Sequence, residues 1–136
     1  MADVVVAGQM ARDLVLLVDE LPAAGTGVPV HDLREMLGGA NQAVGLAQLG
    51  DAPALVAVLG DDDTAGRLLA QARADGIDVE HVVRRVGCRT GLIVDIVEHG
   101  RWHYLEDLPD AVLLTEPDVT AAASAIHAAA ATVVQL

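Results

Sequence analysis

The sequence predicts an α/β domain built on a mostly parallel central sheet, and three observations carry that expectation. Short apolar runs of Val, Leu, Ile and Ala end in glycine, as strands buried on both faces do. Stretches with helical apolar spacing and helix start and stop signals lie between them. The two kinds alternate along the chain, which is the mark of strand-helix-strand units.

The elements follow in order. Residues 3–8, "DVVVAG", read as the first buried strand and residues 13–18, "DLVLLV", as a second strand almost at once. "DELPAAGTG" holds Pro22, Gly25 and Gly27 and reads as a loop. "VPVHDLREM", residues 28–36, mixes Val, His, Asp and Arg and suits an exposed or edge strand. From Ala40 to Leu49 the residues Ala43, Val44, Ala47 and Leu49 recur at near-helical spacing, with Gly50 where a helix C-cap belongs. "APALVAVLG" is a further buried strand. "DDDTAGRLLAQARADG" is a helix, opened by carboxylates that suit the N-cap and the helix dipole and closed by Gly76.

"IDVEHVVRRV" reads as a short strand region. "TGLIVDIVEHGRWHYLED" reads as two strands around "EHGR", a hairpin in which Gly100 takes positive φ. A helix beginning near Pro117, where proline suits the first turn, runs into "TVVQL", read as another buried strand. A central parallel strand with nothing after it to cover the sheet leaves apolar surface and an open edge, so the expectation is one half of something larger.

Composition bounds the function. A chain of 136 residues suffices for one domain, and mean hydropathy of +0.43 with 53% hydrophobic residues argues against disorder. Phe is absent, so the core is aliphatic. Net charge is -12 with pI ≈ 4.4, which repels a phosphate backbone and argues against nucleic-acid binding. All eight basic residues are Arg. Without Lys there is no Walker P-loop and no Schiff base. One cysteine, Cys88, cannot form an internal disulfide, and no signal-like segment precedes the first strand, which reads as cytoplasmic. The apolar runs fall far short of the roughly 20 residues of a membrane span.

The stretch with most chemical content is "EMLGGANQAVGLAQLG", residues 35–50. Asp13 at a strand end and Asn41 at a helix N-terminus could converge above the C-terminal edge of a sheet, where open α/β folds bind ligands. A carboxylate accepts from hydroxyls, an amide both donates and accepts, and glycines before Asn41 allow close approach to a ring. Read structurally instead, Asn41 caps its helix and Asp13 is a turn carboxylate; both alternatives stay open on the residues alone. The Asp61–Asp63 run is better explained by capping than by a metal. His99 and His103, beside Glu98, read as a solvated hairpin tip, and Cys88 as packing.

In this order the segments resemble the ribokinase-like, or PfkB, carbohydrate kinases. "GQMARDLVL" is similar to the family's glycine followed by a sugar-holding aspartate, with Asp13 in that place. "LGGANQAVGLAQLG" is similar to its Gly-Gly-x-Gly-x-Asn-x-Ala segment, and Asn41, Ala43, Gly50 and Gly60 keep the downstream spacing. "GDDDTAG" resembles its Gly-Asp-Asp-x-x-Gly, and residues 90–107 resemble the hairpin that completes its β-lid. One departure is clear: the family's first glycine pair falls on Met36 and Leu37, leaving only Gly38 and Gly39.

The resemblance implies a three-layer α/β/α ribokinase-like fold, of which residues 1–136 are the N-terminal part. Lid strands are expected at about 13–18, 28–36 and 90–107. It implies phosphoryl transfer from ATP, with Mg2+, to a hydroxymethyl of a small sugar or nucleoside. Asp13, Gly38, Gly39 and Asn41 would bind that acceptor. The family's Asp-x-x-Gly-Ala-Gly-Asp base motif does not occur in this sequence, so no catalytic residue is assigned and the chain is expected to be inactive alone. Family lids commonly pair, which implies a homodimer using Leu92, Val94, Ile96 and Trp102. The rival reading is a naturally truncated sugar-binding or dimerisation module. A dinucleotide-binding protein is a weaker third, since "QMARDL" and no Gly-x-Gly-x-x-Gly follows Gly8.

Overall fold

A computed structural model describes residues 2–135. The first apolar run forms β1 (Val4–Ala7), followed directly by β2 (Arg12–Val18). After the loop come β3 (Asp32–Met36), a 3-10 turn over Gly38–Ala40, α1 (Asn41–Gln48) and β4 (Pro53–Gly60). Then come α2 (Asp63–Ala74), β5 (Val82–Arg85) and the hairpin of β6 (Leu92–Glu98) and β7 (Arg101–Asp107). The described chain closes with α3 (Glu116–Ala121), α4 (Ala123–Ala128) and β8 (Ala131–Val134).

Two sheets result. The core sheet has the order β5-β4-β1-β8, with every pair parallel. Both faces of β1 and β4 are covered, which is why these two strands read as unbroken apolar runs. On one face Val6, Leu55, Ala57 and Leu59 meet Ala43 of α1 and Ala65, Leu68, Leu69 and Ala72 of α2. Those α2 positions recur at the spacing of one helical stripe. On the other face Val5, Ala7, Ala54 and Val56 meet Ala122, Ala125 and Ile126. The result is the three-layer α/β/α arrangement expected. Each fully buried Leu or Val contributes roughly 1.5–3 kcal/mol, so an aliphatic core without Phe is sufficient for the fold.

The second sheet has the order β3-β2-β6-β7, with β2 and β6 parallel and both outer pairs antiparallel. It corresponds to the expected lid. Its hairpin turns at His99 and Gly100, both at positive φ (46° and 77°), the backbone of a two-residue primed turn. Side chains alternate between its faces. Asp13, Val15 and Leu17 share one face with Ile93, Asp95, Val97 and Trp102; Leu92, Val94 and Ile96 lie on the other. The four apolar lid residues expected to act together are therefore split across the sheet.

Two boundaries differ from the sequence reading. The third strand begins at Asp32 rather than residue 28, because Pro29 has no N–H to give a ladder and pairing starts only when the His31 N–H reaches Leu17 O at 2.8 Å. The helix begun near Pro117 is two helices. At Ala122, with ψ 4°, the N–H is shared between Asp118 O and Val119 O while the methyl packs against the sheet. The last strand leaves the open edge and apolar surface expected of it: among the described strands β8 pairs with β1, and Val134 is 62% exposed.

The two sheets are tied where β4 ends. A Cβ on Gly60 would collide with the backbone of Cys88, Arg89 and Thr90, so only glycine lets the approach to β6 pass so close. Asp62, the N-cap of α2, accepts from Ala65 N–H at 2.9 Å, from the Thr90 hydroxyl at 2.6 Å and from Thr90 N–H at 2.8 Å. Thr90 Oγ1 in turn accepts from Gly60 N–H at 3.2 Å. Burial by itself would raise the Asp62 pKa, but the Thr90 and Ala65 donors with Arg84 outweigh it and hold the carboxyl below its ordinary value. A second tie is Arg85 to Asp118, 2.8 Å, joining the end of β5 to α3.

Asp62→Ala removes a helix cap and both lid bonds, and should lower unfolding free energy by about 2–3 kcal/mol in chemical denaturation. A change under about 0.5 kcal/mol would remove Asp62 as the tie between the sheets.

Candidate functional site

The core sheet reverses direction of growth at β1. The chain moves outward from β1 to β4 and β5 with α1 and α2 on one face, then returns to place β8 on β1's other side with α3 and α4 on the opposite face. Outside the carboxyl ends of β1 and β8 lies the crevice that such a switch point opens. Gly8 and Gln135 face each other there, joined by the Gln135 N–H to Ala7 O bond at 2.9 Å. A Cβ on Gly39 would overlap the Gln135 carboxamide, and one on Gly8 would stand 2.9 Å from Gln135 Cβ. Gln135 Oε1 is buried and meets no donor. Gly39 therefore belongs to this crevice because a side chain there would fill it.

Gly38 has φ +60°, and a Cβ on it would lie 3.3 Å from Ala11 N. Its conformation turns the chain from β3 into α1 against the start of β2. The register puts Met36, the last residue of β3, opposite Asp13. Asp13, Gly38 and Gly39 are thus brought to one region, where the lid joins the core at the switch point.

Asn41 is the first residue of α1, and the α1 N-cap is Ala40. Its Oδ1 accepts from Leu37 N–H at 3.1 Å, closing the turn that contains Gly38 and Gly39. That use leaves the Nδ2 group as its donor. The side chain also borders a cleft of about 430 Å³ with Glu35, Met36, Arg67, Gln71 and Asp75, which Asp13 does not line. Glu35 is held there by Arg67 and by Arg12 at 3.5 Å.

Asp13 is 6% exposed. Burial pushes its carboxyl pKa up to about 6, and the facing carboxylate of Asp95 pushes in the same direction. Asp95, 8% exposed on the neighbouring strand β6, escaped sequence reasoning. The signal was present: one charge interrupts the apolar run "LIVDIV" at a position sharing Asp13's face of the sheet. Gln135 likewise is the one polar side chain in "VVQL".

Of the remaining candidates, Asp62 is a cap and a tie, as above. His103 Nε2 stands 3.4 Å from Glu98 Oε1, which Arg101 also holds. Among the described residues no three His, Cys, Asp or Glu side chains gather as a metal-ligand set. Nor, among them, is any helix long and apolar enough to cross a membrane.

Comparison with known proteins agrees with this fold. The family described as pfkB family carbohydrate kinase matches residues 1–135. Mouse ribokinase is 31% identical over 138 residues, spanning 99% of this chain and 43% of its own length. Ribokinase from Giardia lamblia superposes with a TM-score of 0.80 at 23% identity, over 98% of this chain and 41% of that one. Ribokinase from Cryptococcus neoformans, in complex with ADP, superposes with a TM-score of 0.64 at 18% identity, over 81% of this chain and 38% of that one. The chain thus spans less than half the length of these relatives.

The Asp13 carboxyl sets a pH dependence whose sign follows from its raised pKa. Between about pH 4 and pH 6 the folded state keeps a proton on Asp13 that the unfolded chain has lost, so the contribution of Asp13 to stability falls as pH rises through that window. Asp13→Asn should flatten that fall and leave the variant more stable than the parent near neutral pH, by on the order of 1–3 kcal/mol, with no difference near pH 4. Denaturation midpoints across pH measure it; a parent whose stability rises from pH 4 to pH 6, and an Asn variant that shares the rise, would contradict the assignment.

Proposed function

The chain belongs to the pfkB family of carbohydrate kinases, and from that membership we propose that it is the acceptor-binding part and lid of an ATP-dependent sugar kinase. The acceptor is a small sugar or nucleoside presenting a hydroxymethyl to ATP. The observation that carries the reading is the buried Asp13 carboxylate, held by the lid beside the glycine turn at the switch-point crevice. A carboxylate there accepts hydrogen bonds from two hydroxyls, and Gly38 and Gly39 keep side chains out of the ring's path. Asn41 Nδ2 is the further donor on the core side. The lid sheet excludes water from the acceptor, which strengthens those bonds.

Phosphoryl transfer also needs a base for the attacking hydroxyl and donors around the transferred group. The family's glycine-rich base motif does not occur in these 136 residues. Base, nucleotide site and Mg2+ ligands are accordingly assigned elsewhere in the complete catalytic unit, and this chain to recognition. Cytoplasmic residence and a lid-mediated homodimer belong to the same reading. Leu17, Trp102 and Tyr104, all exposed on Asp13's face of the lid, are the apolar surface for pairing.

The test is calorimetric titration of the 136-residue protein with a panel of pentoses, hexoses and nucleosides, D-ribose among them, alongside an assay of sugar-dependent ATP turnover. One panel member should bind saturably, Asp13→Ala should weaken it by roughly a hundredfold and Asn41→Ala by roughly tenfold, and turnover should be absent. Failure of every member to bind would refute the recognition role. Turnover by the chain itself would refute the assignment of catalysis elsewhere.

A further inference from the structure

Among the described residues, the other buried carboxylates are matched to donors inside the protein. Asp118 accepts from Arg85 and Thr115, and Glu98 from Arg101. Asp13 and Asp95 differ: each is more than nine-tenths buried, and Oδ1 of each meets no donor. The register pairs Asp13 with Ile93 and Val15 with Asp95, so the two carboxylates stand on adjacent parallel strands, one step apart on one face. The other titratable or charged groups on that face are Asp32 and Arg34 of β3 and Tyr104 and Glu106 of β7. Arg34 is bonded to Asp32 at 2.9 Å and sits opposite Val15 rather than either carboxylate. Arg12 lies on the other face with Glu35.

Two buried carboxylates that face each other need a proton or a cationic donor between them. Resting on the acceptor site proposed above, we propose that Asp95 is a second acceptor-binding carboxylate, and that with Asp13 it selects an acceptor carrying a protonated amine beside its hydroxyls. An ammonium brings three N–H donors and a positive charge to one point. It satisfies both orphan oxygens and neutralises buried charge that a neutral hydroxyl leaves in place. In the free protein the Asp13 proton takes that position only below about pH 6. Asp95 is then the residue that separates amino sugars from their neutral parents.

The experiment is calorimetric titration near pH 7.5 with matched pairs: each neutral sugar of the panel and its amino-deoxy counterpart. The amino member of one pair should bind at least roughly tenfold tighter, and Asp95→Asn should abolish that preference. Asp95→Ser repeats the test should the Asn variant fail to fold. The preference should also fade on acidification below about pH 6, where Asp13 takes up its proton. Neutral sugars that bind as tightly as their amino partners, or a preference that survives in a folded Asp95 variant, would overturn this inference and leave the sugar-kinase reading intact. Absence of binding by every sugar of either kind would instead overturn that reading, and this inference with it.

Discussion

The arrangement of the two sheets rests on the Asp62 carboxylate. Three donors converge on it, one from the first turn of α2 and two from Thr90 at the approach to β6. A helix cap is normally a local matter of one bond and about 1 kcal/mol. Here the same side chain fixes where the parallel pair β2 and β6 begins relative to the core, and hence where Asp13 and Asp95 stand. Gly60 makes the approach possible and Thr90 closes it. Because the carboxyl is held below its ordinary pKa, the tie is in force above the normal carboxylate range and is lost as pH falls through the depressed value.

The carboxyl groups whose pKa is displaced fall into two groups. Asp62, Asp107 and Asp118 have lowered pKa values, each with an arginine or several N–H and O–H donors at hand. They hold elements together: Asp107 takes Arg89 at the base of the hairpin, and Asp118 takes Arg85 while accepting from Thr115 at the start of α3. Asp13 is shifted the other way and has only a like charge for company. A fold gains nothing from two facing buried carboxylates, and it has arginines enough to pair them. Their persistence without a donor sets them apart from the structural carboxylates.

The layers of the core were legible because each depends on local pattern. "ALVAVLG" is buried on both sides and reads as one apolar run; "TAGRLLAQARA" carries its stripe at helical spacing; Gly76 and Gly100 mark a helix end and a hairpin turn by chemistry that acts within a few residues. Asp13, Gly38, Gly39 and Asn41 were found through motif resemblance. What lay beyond reach was set by register between distant segments. That Asp95 shares a face with Asp13 follows from a pairing 80 residues apart in the chain, which no local window contains.

The departure at Met36 and Leu37 now has a physical account. Met36 ends β3 and pairs with Asp13, so a strand-forming side chain serves where glycine would loosen the ladder. Leu37 is 4% exposed and belongs to the core, and its N–H is the donor that Asn41 Oδ1 takes. Of the four positions from Met36 to Gly39, Gly38 is the one at positive φ and Gly39 the one that leaves room for Gln135. Replacing two glycines by residues with packing and ladder partners lowers the conformational freedom of this junction. The lid strand β3 therefore enters the core through a stiff joint. Such a joint preorganises Asp13 above the crevice, and a preorganised carboxylate discriminates between donors more sharply than one free to follow its ligand.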